Sequence, residues 1–352
     1  MGGKSIRSLR GNNTRPPPTA SPSPLSGSHH IHLTPIWRVG DPHKGLLQTL
    51  LPWVRQLQPA VIALERDPDT LLAWQVALIR RLFAPRAKLV FHSWQNVARP
   101  LSRPVRFVLN QTLRAADSII CANAAGEGIL RQWGYHGSTP LQPWMGVDTT
   151  TFYPRPQEAA DLRREMGLET VVVAGYVGRL APEKGLDDLL HALSHTPTNL
   201  HLLFIGQGEQ ETHLRQLTHQ LGLSQRVRFV GNVPHTHLPN YMSLLDMLVL
   251  PSRSTTVWQE QFGRVLIEAM ACGAPLVGSS SGAIPEVIGS AGLIFPEGDT
   301  AVLAQTLTQL VNFPPLRQEL AAHGRHRIDT TYSQPIVSQR ISALYQQLAT
   351  TP

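Results

Sequence analysis

The segment from Met247 to Val287 constrains the fold of this 352-residue chain more than any other. It opens with a short apolar strand, Met247 to Pro251, and a helix then begins near Gly263. Cys272-Gly273 ends this helix, because glycine readily adopts the left-handed conformation that follows a last helical turn. A second strand, Pro275 to Ser279, follows directly. Such a crossover between parallel strands is right-handed, so the loop before the helix lies at the carboxyl end of a sheet, where open α/β sheets bind ligands.

Two carboxylates flank the start of this helix: Glu260 lies just before it, and Glu268 lies about one turn inside it. The amino end of a helix offers unpaired N–H groups and positive potential, which suit a phosphate. The carboxylates can accept hydrogen bonds from hydroxyl groups on either side of that phosphate, as in a nucleotide sugar. Acidic residues near a helix start also complement the helix dipole, so the spacing alone leaves both interpretations open.

The residues QEQFGRVLIEAMACGAPLV, from 259 to 277, resemble the Glu-x7-Glu signature of the retaining glycosyltransferases of family 4, also called group 1. The resemblance continues through residues 281–299. It implies an α/β chain with the GT-B fold, in which two Rossmann-like domains face each other across a cleft. It also implies that Glu260 contacts the donor sugar and Glu268 the ribose. The donor-binding positions that it adds around the helix start are Phe262, Gly263, Val265 and Leu266.

A second loop carries two cations. The apolar strand Val171 to Val177 leads into GRLAPEKG, residues 178–185, just before a helix near Leu186. Two cations on a glycine-containing loop at a helix start can clamp a diphosphate without a metal, although a solvated turn has the same composition. The loop resembles the family's GRLxxEKG, which implies that Gly178 binds the donor and that Arg179 and Lys184 neutralise the leaving group.

Two further loops complete the donor site that the resemblance implies. Gly206 follows the strand Leu200 to Ile205, and Val233 lies in a loop that resembles the one holding the nucleotide base through main-chain groups. Glu211 occupies the third glycine position of a G-x-G-x-x-G pattern, so a dinucleotide site is not favoured.

The amino-terminal half becomes regular from Gly45. Apolar residues from Leu46 to Leu57 have helical spacing, and the strand Pro59 to Glu65 and the helix Asp69 to Leu82 follow. The next strand, Lys88 to His92, ends in a histidine. The resemblance places His92 beside the donor sugar, where it hydrogen-bonds a sugar hydroxyl or the transferring centre; a buried or surface histidine without a catalytic role remains the alternative.

Residues 1–28 are rich in proline, serine and basic residues, lack the apolar core of a signal peptide, and are predicted to be disordered. Ile31 to Ile36 is at best a weak strand, whereas the family's first domain should begin with a strand and a glycine-rich loop. The amino-terminal domain is therefore predicted to be truncated. The predicted organisation is a basic tail (1–28), an incomplete acceptor domain (29–148), a linker (149–166), a nucleotide-sugar domain (167–331) and a terminal helix packing back on the first domain (332–352).

Composition narrows the class of protein. The chain is 42% hydrophobic and 16% charged, has two cysteines and no apolar run long enough to span a membrane. Charge is uneven: residues 1–110 carry +11 and residues 111–352 carry −4. The basic half fits an anionic membrane surface, an anionic acceptor or an ordinary solvated surface. No aromatic and basic RNA-binding pattern supports nucleic acid as a partner.

The sequence therefore predicts a metal-independent, retaining glycosyltransferase that moves a hexose from a nucleoside diphosphate sugar to an acceptor hydroxyl and needs no cofactor. We expect a cytoplasmic protein, or one peripheral on the inner face of the plasma membrane, that acts in cell envelope polysaccharide biosynthesis. Two alternatives remain: a non-catalytic nucleotide-sugar-binding protein, and a basic scaffold for membrane or nucleic acid. A pyridoxal phosphate phosphorylase is less favoured, because no candidate Schiff-base lysine remains once Lys184 is assigned to the phosphate loop.

Overall fold

The computed structural model describes residues 36–37, 45–143 and 145–351. The chain folds into two compact units. Unit 1 comprises Met1–Cys121, Gly126–Leu141 and Ala343–Pro352, and unit 2 comprises Ala122–Ala125 and Gln142–Ser342. The predicted tail, the weak strand before residue 36 with the truncation inferred from it, and Trp144 of the predicted domain crossing lie outside the described residues.

Unit 1 contains a three-stranded parallel sheet in the order β3-β4-β5, and β1 pairs with β2 in an antiparallel ribbon. The elements of this part of the chain are β1 (Ile36–Trp37), β2 (Leu46–Leu47), α1 (Leu50–Leu57), β3 (Val61–Leu64), α2 (Leu71–Phe83), β4 (Lys88–Ser93), α3 (Arg103–Ala115), β5 (Ser118–Cys121) and α4 (Ala124–Gln132). Thr70 caps α2 by accepting a hydrogen bond from the N–H of Ala73.

One helix of unit 1 begins later than its apolar spacing predicts. Leu46 and Leu47 were expected in the first turn of α1 but form β2 instead, and the helix starts at Leu50. The amide side chain of Gln75 on α2 accepts from the Leu47 N–H at 2.9 Å and donates to the Leu47 carbonyl at 2.8 Å. Since these contacts satisfy both backbone groups of Leu47 in an extended conformation, a tertiary interaction overrides the helical period here.

Unit 2 is built around a six-stranded parallel sheet in the order β8-β7-β6-β9-β10-β11, and helices cover it. Its elements are α5 (Pro156–Glu165), β6 (Val172–Val177), α6 (Leu186–Ser194), β7 (Leu200–Ile205), α7 (Glu211–Gln220), β8 (Val227–Gly231), α8 (Leu238–Leu244), β9 (Met247–Leu250), α9 (Arg264–Ala271), β10 (Leu276–Ser279), α10 (Ile284–Ile288), β11 (Gly292–Phe295), α11 (Thr300–Asn312), α12 (Pro314–Arg327) and, continuing into unit 1, α13 (Gln334–Thr350). This is the doubly wound order, whose direction of growth reverses between β6 and β9.

The segment 149–166, predicted to be a linker, lies in unit 2 and contains α5. Its prolines suggested an irregular connection, but Pro156 occupies the first helical turn, where the missing N–H is not needed. The guanidinium of Arg163 on this helix lies 2.6 Å from the carboxylate of Asp246, next to β9. Side-chain pairing thus fixes α5 against the body of unit 2.

His92 lies within β4 of unit 1 and is almost completely buried. Its Nε2 lies 2.6 Å from the hydroxyl of Tyr345, which belongs to the part of α13 that is assigned to unit 1. Burial lowers the pKa of His92 from 6.5 to about 4. The imidazole is therefore neutral at physiological pH and shares a hydrogen bond with the tyrosine.

We predict that this histidine makes the protein sensitive to acid. The unfolded chain binds a proton on His92 below pH 6.5, whereas the folded chain binds it only below about pH 4. Stability therefore falls as the pH falls through this window. The full loss of unfolding free energy across this window is about 3 kcal/mol. In the His92→Gln variant, the free energy of unfolding, measured by urea titration, should fall less between pH 7 and pH 4 than it does in the wild type. The exposed His219 provides a control, His219→Gln, and parallel pH profiles for wild type and His92→Gln would contradict the assignment.

Candidate functional site

The switch point between β6 and β9 brings together the two loops that the sequence singles out. The loop 178–185 follows β6, and the loop from Pro251 to Gly263 follows β9. The N–H of Arg253 donates to the carbonyl of Glu183 at 2.9 Å, so main-chain contact joins the loops. Main-chain geometry within unit 2 therefore brings the two loops of the candidate site together.

Lys184 and Glu260 form the central ion pair of this site. The Lys184 Nζ lies 2.7 Å from a carboxylate oxygen of Glu260 and 4.5 Å from the ring centroid of Trp258. The Lys184 and Glu260 side chains are only 15% and 12% exposed, so water screens their attraction weakly. One cation of the first loop and the first carboxylate of the second loop thus meet directly.

The surrounding chain fixes Glu260 in place. The Ser252 hydroxyl donates to its carboxylate at 3.2 Å, and its carbonyl accepts from the N–H of Ala283 at 2.9 Å. Ser279 on β10 donates in turn to the Ser252 carbonyl. Three neighbouring segments therefore hold the carboxylate at the carboxyl end of the sheet.

Gly263 begins α9 with a positive φ of 71°, a conformation that glycine adopts without strain. No side chain among the described residues caps this helix end, which lies at the end of the loop that follows β9. Phe262 is buried against Tyr332 with ring centroids 5.8 Å apart, Leu266 is buried, and Val265 is half-buried. Apolar packing on both sides thus anchors the helix start and leaves its backbone donors available for an anion.

Glu268 lies one turn inside α9 and is nearly buried. Its carboxylate accepts from the Arg264 guanidinium at 2.9 Å, and the Nε2 of His235 lies 3.5 Å away. Burial raises the pKa of Glu268, while Arg264 and His235 act in the opposite direction. His235 and Arg264 are site residues that sequence reasoning missed; the spacing of four residues between Arg264 and Glu268 could have revealed the second, but nothing local points to the first.

Arg179 is not joined to the central ion pair. Its side chain is 65% exposed and pairs with Glu183, four residues along the loop. The main chain of Arg179 is better fixed, because the hydroxyl of buried Tyr176 donates to its carbonyl at 2.7 Å. The structure therefore brings Lys184 to Glu260 and leaves Arg179 on the outer side of the loop.

The remaining candidate residues lie on loops that follow β6, β7 and β8. The N–H of Gly206 donates to the carbonyl of Gly231 at 2.8 Å. A Cβ at Gly206 would lie 2.0 Å from the carbonyl oxygen of Gly178, so the close approach of these two loops requires glycine. Val233 is half-buried in the loop after β8. The predicted positions thus line one edge of the sheet in unit 2, while His92 belongs to unit 1.

The described residues contain neither a metal-binding cluster nor a membrane-spanning helix. Within residues 45–143 and 145–351, no group of three or more His, Cys, Asp or Glu side chains is arranged to hold a metal ion. Over the same part of the chain, every helix is too short or too polar to cross a bilayer.

Comparisons with known proteins bear on the family. Residues 159–327 match the family model described as glycosyl transferases group 1. A GDP-mannose-dependent monoacylated alpha-(1-6)-phosphatidylinositol monomannoside mannosyltransferase of Corynebacterium glutamicum is 31% identical over 57% of this chain and 54% of its own length. The phosphatidyl-myo-inositol mannosyltransferase of Mycobacterium leprae is 31% identical over 69% of this chain and 64% of its own. The chain spans about half the length of the first curated relatives that it matches.

Solved structures bear on the fold. Anabaena HepE, crystallised with UDP, superposes with a TM-score of 0.73 at 22% identity, over 91% of this chain and 86% of that protein. This agreement shows the GT-B fold that the sequence resemblance implied. Residues 159–327, just under half of the chain, are thus similar to the glycosyl transferases of group 1.

Proposed function

We propose that the protein is a glycosyltransferase that moves a hexose from a nucleoside diphosphate sugar to an acceptor hydroxyl. The observation that carries this proposal is the arrangement within unit 2 of one cation, two carboxylates and an uncapped helix start at the switch point of a doubly wound sheet. Lys184 and the N–H groups of α9 would bind the diphosphate, Glu260 the sugar hydroxyls and Glu268 the ribose. Similarity of residues 159–327 to the glycosyl transferases of group 1 supports these roles.

The proposed reaction retains the configuration of the sugar and uses no metal. The bond between the anomeric carbon and the leaving phosphate breaks, and a bond to the acceptor oxygen forms on the same face. The acceptor's proton passes to the departing phosphate, so nucleoside diphosphate is released. Lys184, Arg179 and the dipole of α9 would stabilise the charge that develops on that phosphate, which is the role that a divalent cation plays in other transferases.

A membrane-associated acceptor is part of the proposal. Helix α3 carries Arg103, Arg106 and Arg114 on its exposed surface with no acidic residue, and Phe107 beside them is 58% exposed. The names of the two mannosyltransferase relatives refer to phosphatidylinositol acceptors. We therefore place the protein in the cytoplasm, at the inner face of the plasma membrane, with an acceptor that belongs to the cell envelope.

We predict that this surface binds anionic vesicles. The double variant Arg103→Gln, Arg106→Gln removes two charges, each contributing about 1 kcal/mol near an anionic surface, so binding should weaken about tenfold or more. Co-sedimentation with phosphatidylglycerol vesicles at low and high salt measures it. Arg164→Gln, an exposed arginine of unit 2, is the control, and equal binding by all three proteins would contradict the proposal.

We expect Glu268→Gln to weaken nucleotide binding, because the ribose would lose a charged acceptor. Hydrogen bonds to charged groups are worth about 1.5–3 kcal/mol, so the dissociation constant should rise by about tenfold to a hundredfold. Calorimetric titration with UDP, GDP and ADP measures it. Glu211 on α7 forms a similar pair with Arg215 four residues away, so Glu211→Gln is a matched control. Unchanged affinity in Glu268→Gln would refute the ribose assignment.

Glu260→Gln should behave differently. This change removes the carboxylate that pairs with Lys184, so binding of the nucleoside diphosphate alone should be retained or strengthened. The extra affinity for the glucose or mannose conjugate should disappear, since the sugar hydroxyls lose their charged acceptor. The same titrations measure both ligands, and Glu297→Gln, which contacts Ser254 in the same loop, controls for disturbance of the loop. An equal loss for both ligands would contradict the sugar assignment.

Turnover separates the proposed enzyme from a binding protein. Wild-type protein should release nucleoside diphosphate from the conjugate that it binds once a hydroxyl acceptor is supplied. Tight binding with no release across an acceptor panel would favour the non-catalytic alternative.

A further inference from the structure

We propose that Trp258 is a positioning residue for Lys184, holding the ammonium group in line with the leaving phosphate while the donor sugar occupies Glu260. The inference rests on the function proposed above. It concerns a side chain that no sequence motif singled out and that lies two residues before the Glu-x7-Glu pattern.

The geometry places the lysine between two partners of different character. Its Nζ lies 2.7 Å from the Glu260 carboxylate and 4.5 Å from the Trp258 ring centroid. The second distance is within the range of a cation–π interaction, for which tryptophan is the best aromatic partner. Because Lys184 is only 15% exposed, both interactions act in partly desolvated surroundings, where they are stronger than in water.

The loop holds the main chain of Trp258 independently of the lysine. The N–H of Thr255 donates to the Trp258 carbonyl at 2.7 Å, and the Thr255 hydroxyl accepts from the Trp258 N–H at 3.0 Å. These bonds close a tight turn whose tip, Val257, is 83% exposed. Near the start of the same loop, Arg253 forms an ion pair of two hydrogen bonds with buried Asp188 on α6. The main chain that carries the ring is therefore fixed without help from Lys184.

The two partners differ in what they do to the positive charge. Glu260 neutralises it, and the same carboxylate is needed for the sugar hydroxyls. Once the sugar hydroxyls hydrogen-bond to the Glu260 carboxylate, the Lys184 ammonium loses its main partner. The long lysine side chain then regains rotamer freedom, which opposes phosphate binding. An aromatic face attracts the cation but carries no net charge, so it keeps the ammonium in place without competing for it. Trp258 thus complements Glu260 when the donor is bound.

A double-mutant cycle tests this role. Trp258→Leu removes the ring and keeps an apolar side chain, and Trp258→Phe restores a weaker aromatic face. Both are compared with wild type, Lys184→Ala and the double variant Lys184→Ala, Trp258→Leu. Calorimetry measures the binding of UDP, GDP and ADP and of their glucose or mannose conjugates, and circular dichroism verifies that each variant is folded. Val257→Ala, next to Trp258 in the same turn, is the control.

We expect Trp258→Leu to weaken binding of the conjugate by about threefold to thirtyfold and binding of the bare diphosphate by less, because only the sugar displaces Glu260. Trp258→Phe should restore part of the loss. In the Lys184→Ala background the same leucine substitution should have no further effect, since the indole acts through the lysine.

Two results would overturn the inference while leaving the proposed function intact: unchanged conjugate binding in Trp258→Leu, or an equal loss with and without Lys184, which would mean that the indole supports the loop or touches the sugar itself. If folded wild-type protein binds none of these nucleotides or conjugates, the proposed function fails and the inference fails with it.

Discussion

The ion pair between Lys184 and Glu260 is the interaction on which the candidate site depends. It joins the loop after β6 to the loop after β9, and these loops meet only because the order of strands reverses between them. With the side chains mostly shielded from water, each charge stabilises the other in the absence of ligand. In the proposed function, a nucleotide sugar offers each side chain a better partner: phosphate for the lysine and hydroxyl groups for the carboxylate. In that function, the same contact both organises the site and is exchanged when the donor binds.

Much of the site is built from backbone rather than from side chains. The start of α9 presents its N–H groups because Gly263 permits a positive φ there, and apolar neighbours on either side keep the helix end from shifting. Gly206 allows two loops to approach within a distance that any side chain would prevent. Such groups need no reorganisation when an anion arrives, which is why preorganised dipoles are effective in stabilising a departing phosphate.

Charged residues around this backbone frame have unequal freedom. Glu268 is buried between Arg264 and His235, whereas Arg179 extends into solvent and pairs only within its own loop. A surface pair of this kind contributes little to stability, so Arg179 can leave Glu183 at small cost when a phosphate is near. In unit 1, by contrast, His92 is buried against Tyr345 and stays neutral over the physiological range.

The sequence by itself determined the parallel α/β elements of unit 2 and the start of α9 near Gly263 and its end at Cys272. It also indicated Glu260, Glu268 and Lys184 as candidate site residues. These features follow from apolar periodicity, helix-stop chemistry and an ungapped motif, all of which are local along the chain. Tertiary structure alone decided that Leu47 joins a strand and that Trp258 and His235 reach Lys184 and Glu268. Those outcomes depend on contacts between residues distant in sequence, and no local pattern encodes such contacts.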